Sequence, residues 1–231
     1  MKQFVTTAIV LRRTNYSEAD RILTLLTPEQ GKIRLLAKGV RKIKSKLAGG
    51  IELFSITNLT YVQGKGDLGT LISSRLQTNF GNIVADISRT MFAYEVLKLI
   101  DSITEDNPED EYYTLLAVTL DALNRPQISI TAIQLWLYLH ILMYGGHQPN
   151  VSTSPDGARL LPEDQFTFSL EDMAFVPHAQ GLYDADAIKL LRLGLTADHP
   201  RQLSQIQNSH QLQLQLIELV RAMHAEHGRT F

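Results

Sequence analysis

The sequence contains no cysteine, which excludes disulfides and every metal site built on thiolates. It also lacks any uninterrupted apolar run of about eighteen residues, so no segment reads as a membrane-spanning helix and no membrane partner is expected. There is no internal repeat and no low-complexity tract. The opening "MKQFVTTAIVLRR" runs directly into patterned sequence without a small-residue cleavage site, so the expected location is the cytoplasm. Catalytic signatures are missing too. No serine sits in a nucleophile elbow, no carboxylate pair stands beside a histidine, and "GKGDLG" lacks the Lys-Ser/Thr that ends a phosphate-binding loop. The chain is therefore expected to be no enzyme and to carry no cofactor.

What is present is a 231-residue chain, 44% hydrophobic and 20% charged, with enough mass for one large domain or two smaller ones. Its net charge of -2 conceals a strong asymmetry. Residues 1–80 carry thirteen Lys and Arg against five Asp and Glu, a balance of +8, whereas the other 151 residues carry -10. The two parts should present fields of opposite sign.

The first 80 residues alternate as strands do. "FVTTAIVLRR", "DRILTLLT", "GKIRLLAKG", "ELFSITNLTYV" and "LGTLISSRLQ" make five candidates, with turn chemistry at Thr27–Gly31 and at Gly64–Asp67. Five short strands with a longer connection after the third predict a small OB-like barrel, with an SH3-like barrel as the competing fold. After Phe80 the period becomes helical. Ile83, Ile87, Met91, Tyr94 and Leu97 fall at helical spacing, "EDEYYTLLAVTLDALN" predicts a second helix, and "ISITAIQLWLYLHILMYGG" a third that is apolar nearly all round. Residues 147–181 read as an irregular insertion with "QFTFSL" and "MAFVP" paired as a small hairpin. Helix returns in "ADAIKLLRLGL" and along Leu212, Leu216, Leu219, Val220 and Met223, while "HQLQLQL" is open between strand and helix. The expected fold class is thus α+β: an OB-like domain over residues 1–80 and an α-helical domain over residues 81–231.

The candidate site is the stretch "LLAKGVRKIKSKLAGG". From Gln30 to Ile51 seven cations occur without one acid: Lys32, Arg34, Lys38, Arg41, Lys42, Lys44 and Lys46. On the strand, Ile33, Leu35 and Ala37 share one face, and Lys32, Arg34 and Lys38 share the other. Strand face and connection together suit a phosphate backbone, with Lys65 as a further contact and Arg12, Arg13 and Arg75 as possible additions. A solubilising lysine loop is the plainer alternative. Phe4, Tyr16, Phe54, Tyr61 and Phe80 are available for base stacking, although each also suits a core. Elsewhere, "HAEH" at residues 224–227 fits a surface helix terminus, and Glu105, Asp106, Glu109, Asp110 and Glu111 form an acidic segment.

Read in order, these features resemble the RecO recombination mediators of bacterial DNA repair. The resemblance rests on Tyr16-Ser17-Glu18, the Thr27–Gly31 turn, Ala37-Lys38-Gly39 with the basic segment to Lys46, and later "LHILMYGGHQPNV". It implies an OB-fold joined to a helical domain, binding of single- and double-stranded DNA, strand annealing, association with RecR, and contact with the acidic tail of single-stranded-DNA-binding protein so that recombinase is loaded. Where many relatives carry two Cys-x-x-Cys pairs, Ser154, Asp156, Pro177 and Gln180 stand at or near those places. The insertion is accordingly expected to be a metal-free hairpin held by Phe166, Phe168, Met173 and Phe175, with a hard-ligand site at His147, Asp156 and His178 as the minor alternative. A protein-interaction adaptor and an RNA-binding accessory factor are the alternative functions for the same basic surface.

Overall fold

The alternating segments form β1 (Lys2–Asn15), β2 (Arg21–Thr27), β3 (Gly31–Ala37), β4 (Ser55–Gln63) and β5 (Leu68–Asn79). The computed structural model describes residues 2–64, 66–104 and 110–227. Lys65 of the candidate site, and Glu105, Asp106 and Glu109 of the acidic segment, lie outside the described residues.

The strands pair in the order β1-β2-β3-β5-β4, and β4 returns to β1 to close a barrel. β3 and β5 run parallel from Arg34↔Leu68 to Leu36↔Thr70, whereas the other pairs are antiparallel. A meander would have placed β4 beside β3. Passing over β4 to reach β5 gives the OB-like arrangement and not the SH3-like one.

β1 serves two neighbours because it bends. Lys2 to Ile9 register against β4, Ile9 to Asn15 against β2, and the β2 register shifts between Val10 and Arg12. A bulge of this kind raises local twist and carries a strand around the corner of a small barrel. Ala8 and Val10 enter the barrel core, while Ile9 and Leu11 are buried on the opposite face of the strand.

The chain divides into two compact units, residues 1–125 and 126–231. The first holds the barrel together with α1 (Ile87–Ile103) and α2 (Asp110–Leu123), which pack on each other; α1 also meets β1, and α2 meets β2. The change from strand to helix falls after Asn79. On α1 the expected stripe is only partly internal. Ile83 and Leu97 are buried, but Ile87, Met91 and Tyr94 are exposed, and the buried face runs through Arg89, Phe92, Ala93, Val96, Leu97 and Ile100. Arg89 explains the difference: its guanidinium donates to Leu123 O at 3.0 Å, so a residue that reads as surface lies inside.

The second unit is organised by α3 (Ile130–Tyr144), in which ten residues between Ala132 and Leu142 are buried. Around it pack α4 (Ala185–Thr196), α5 (Arg201–Ser204) and α6 (His210–Glu226). "HQLQLQL" is helical because one of its polar residues belongs inside. Gln213 is buried and donates to Leu203 O at 3.1 Å and Ser209 Oγ at 2.9 Å. The expected surface terminus at "HAEH" is corrected similarly: His224 is buried with Nε2 2.9 Å from Tyr138 O, and His227 stacks on His147 at 3.7 Å.

The insertion forms the expected hairpin. β6 (Phe166–Ser169) and β7 (Ala174–Pro177) pair with Phe168 opposite Phe175, and Phe166 and Phe175 are fully buried. Bridges from Asn150 to Ala174 and from Tyr183 to Phe166 flank the two strands.

Candidate nucleic-acid interface

Apart from the exposed Ile43, the connection from Lys38 to Phe54 separates its large apolar residues from its cations by side. Val40 and Ile51 are buried in the barrel core, and Leu47 packs against it, whereas Lys38, Arg41, Lys42, Lys44 and Lys46 are exposed. Apolar side chains therefore fasten the segment and leave its charges outside.

Hydrogen bonds fix both ends. At the first, Gly39 takes φ +65° and donates its N–H to Asp20 Oδ1 at 2.7 Å. Arg41 then donates its backbone N–H to Ala19 O at 3.0 Å and its guanidinium to Ser17 O at 2.9 Å, which latches the connection to the β1–β2 turn. At the other end, a Cβ added to Gly50 would lie 2.7 Å from Ser74 Cβ, and Ser74 Oγ donates to Leu47 O at 3.0 Å. Gly50 thus serves close approach to β5.

The basic residues of the candidate site and its neighbours Arg12 and Arg13 fall into two groups, with Arg75 exposed on β5. Lys32 donates to Asp101 O at 2.7 Å and pairs with the Asp101 carboxylate at 3.5 Å, its side chain only 20% exposed. Arg12 pairs with the same carboxylate at 3.4 Å, and Arg13 with Glu52, the one acid of the connection, at 2.7 Å. Arg34, Lys38, Lys42, Lys44 and Lys46 are exposed and make no ion pair or side-chain hydrogen bond among the described residues. Arg41 joins this second group with part of its guanidinium still available, since one nitrogen serves Ser17. Lys32 is therefore used internally, while Arg34 and the five cations of the connection face solvent. Asp101 lies 69 residues beyond Lys32, and no local signal in the sequence announces that pairing.

The aromatic candidates separate as sharply. Phe4 stacks on Tyr61 with centroids 5.2 Å apart, Phe54 meets Tyr94 edge-on at 5.0 Å, and Phe80 is buried. Burial pushes the Tyr61 phenol above its ordinary range; its bond to Gln30 opposes the shift, and Glu29 adds to it. Phe54 lies just before β4, at φ +56°. Tyr16 alone of the five is exposed.

In the insertion, polar side chains are hydrogen-bonded locally. Asn150 Oδ1 accepts the N–H groups of Ser152 and Thr153 at 2.9 and 3.1 Å, and Asn150 Nδ2 donates to Thr153 Oγ1 at 3.0 Å. Ser154 Oγ donates to Asp156 Oδ1, and this bond is the main reason the Asp156 carboxyl sits below its ordinary range. His147 stacks on His227, and His178 Nδ1 accepts the Gln180 N–H. Among the described residues no three His, Asp or Glu side chains are grouped to hold a metal ion, and a chain without cysteine does not fit a zinc site built on thiolates.

A five-stranded OB-like barrel with a cationic, acid-poor connection, followed by a helical unit, defines the general class. The chain belongs to the RecO family: the family model described as "Recombination protein O N terminal" matches residues 1–80, and that described as "Recombination protein O C terminal" matches residues 84–229. Among similar curated proteins, DNA repair protein RecO of Alkaliphilus metalliredigens is 28% identical over 186 residues, covering 80% of this chain and 75% of the relative. DNA repair protein RecO of Dehalococcoides mccartyi is 35% identical over 149 residues, covering 64% and 58%. The protein of the same name from Roseiflexus is 36% identical over 168 residues, covering 71% and 57%. The alignments to the latter two thus span less than two thirds of the relatives' own length.

Proposed function

We propose that this chain is a non-enzymatic DNA-binding mediator of repair and recombination, acting in the cytoplasm at the nucleoid. One observation carries the reading. On the barrel, Arg12, Arg13 and Lys32 have carboxylate partners, whereas Arg34, Lys38, Arg41, Lys42, Lys44 and Lys46 have none among the described residues and stand close in sequence on an anchored surface. Such a surface is complementary to a polyanion, and lysines acting as point charges grip phosphates with little regard to base sequence. Neutralising two strands at once lowers their mutual repulsion, which is the physical requirement for annealing. The relatives' names support the assignment to DNA repair.

The mediator role further implies RecR and the acidic tail of single-stranded-DNA-binding protein as partners, and delivery of recombinase to the coated strand. For an acidic segment, the second unit offers a hollow lined by Leu161, Pro162, Phe166, Ile188, Lys189 and Arg192, in which Lys189 pairs with Asp186 at 2.9 Å and Arg192 donates one N–H to Val151 O at 2.8 Å.

Fluorescence anisotropy with single strand, duplex and RNA across a salt series tests the DNA reading. If about five phosphates are neutralised, log K should fall against log salt with a slope of about -4 to -5. Replacing Lys42, Lys44 and Lys46 together by Ala should lower affinity at least about tenfold and flatten the slope by about 2 to 3. Undetectable binding near physiological salt, or binding unchanged by the triple substitution, would sink it; a strong preference for RNA would redirect it.

A further inference from the structure

Two apolar side chains stand among the cations. Ile43, between Lys42 and Lys44 in the connection, is fully exposed at 104% of its reference area. Tyr16 is 62% exposed on the β1–β2 turn, which Arg41 joins to the connection through Ser17 and Ala19. Neither makes a side-chain hydrogen bond or ring contact among the described residues. The other four aromatic candidates of the barrel are occupied in its packing or in contact with α1.

A surface that met only phosphate would gain nothing from these two groups, because phosphate contacts are made by charge and hydrogen bonds. An unstacked base presents an apolar π face, and a duplex hides that face within its stack. Aromatic rings hold such bases, and aliphatic side chains wedge between them. The latch matters here: it places the ring of Tyr16 and the side chain of Ile43 on loops tied to each other, with exposed cations on both sides of Ile43.

We propose that Tyr16 and Ile43 contact unstacked bases while the surrounding lysines hold phosphates, so that this end of the barrel distinguishes single strands from duplex. The inference deepens the DNA-binding reading and rests on it. Tyr16 stacks a base, Ile43 fills the space against a base or between two, and the preference that results is for strand state and not for sequence, since every base has a π face.

Anisotropy at one fixed salt concentration tests it with three ligands: a thymidine oligonucleotide, an abasic strand of equal length, and a duplex. The abasic strand keeps the phosphates and removes the bases. Wild-type protein should bind the thymidine strand about tenfold or more tighter than the abasic one. A Tyr16→Ser, Ile43→Ser double variant should lose that margin while keeping its affinity for the abasic strand and the duplex. Equal wild-type affinity for the two single strands overturns the proposal, as does a double variant that weakens all three ligands alike. Absence of binding to any ligand removes the DNA-binding reading itself, so the two failures are told apart.

Discussion

The connection at 38–54 and the insertion at 147–181 are both long and rich in turns, yet they treat their polar side chains in opposite ways. In the insertion these groups satisfy one another locally: Asn150 holds two backbone N–H groups, Ser154 donates to Asp156, and Ser169 to Asp172. In the connection, apolar residues and hydrogen bonds to its backbone provide most of the anchoring, and of the cations only the Arg41 side chain takes part, through Ser17 O. A segment that consumes its polar groups is stabilising itself. One that is fixed by other means and still displays five cations is disposed toward an external anion.

Gly50→Val should have the largest effect on stability, because its branched side chain must displace Ser74 on β5. We expect a loss of about 2–4 kcal/mol, seen as a lower denaturation midpoint, and weaker DNA binding as the connection lifts from the barrel. Asn150→Ala should cost about 0.5–1 kcal/mol, because water can reach the two exposed N–H groups it holds, while DNA affinity stays within about twofold of wild type. Equal damage to DNA binding would show that the contrast between the two segments is mistaken.

A finer contrast lies within the basic residues. Lys32→Ala should lower stability by about 0.5–1 kcal/mol and leave the salt slope unchanged, whereas Lys44→Ala should leave stability unchanged and reduce the slope by about 1. The smallest effect concerns pH. Burial holds His140 below its ordinary 6.5, opposed by its bond to Trp136 O and by Asp198, so the folded protein resists a proton that the unfolded chain accepts. Its contribution is fully present above about pH 6.5 and declines as pH falls below that value. Thermal melts between pH 7.5 and 5.5 should show the decline, and His140→Gln should flatten it.

The elements that sequence made legible are those governed by local pattern. Five strands, the apolar α3 and the β6–β7 hairpin follow from periodicity and turn residues. What escaped depends on contacts distant in sequence. The burial of Arg89 requires Leu123 O, the engagement of Lys32 requires Asp101, and the helical start of α6 requires Leu203 O for Gln213. Each is a polar residue satisfied inside, which hydropathy scores as surface. The candidate site was legible as charge density; its anchoring by Val40, Ile51 and Gly50, and the isolation of Tyr16 among the aromatics, became visible only in three dimensions.

The way the strands find neighbours bears on how many copies can gather on one polymer. Every barrel strand has two hydrogen-bonded neighbours, the β3–β5 seam being the shortest at Arg34–Leu36, and the two-stranded hairpin is flanked by Asn150 on one side and Tyr183 on the other. Exposed sheet edges are templates along which crowded chains zip together. A protein concentrated along DNA would meet its own kind at high local density, and closure of the barrel removes part of the edge from which such aggregation can start.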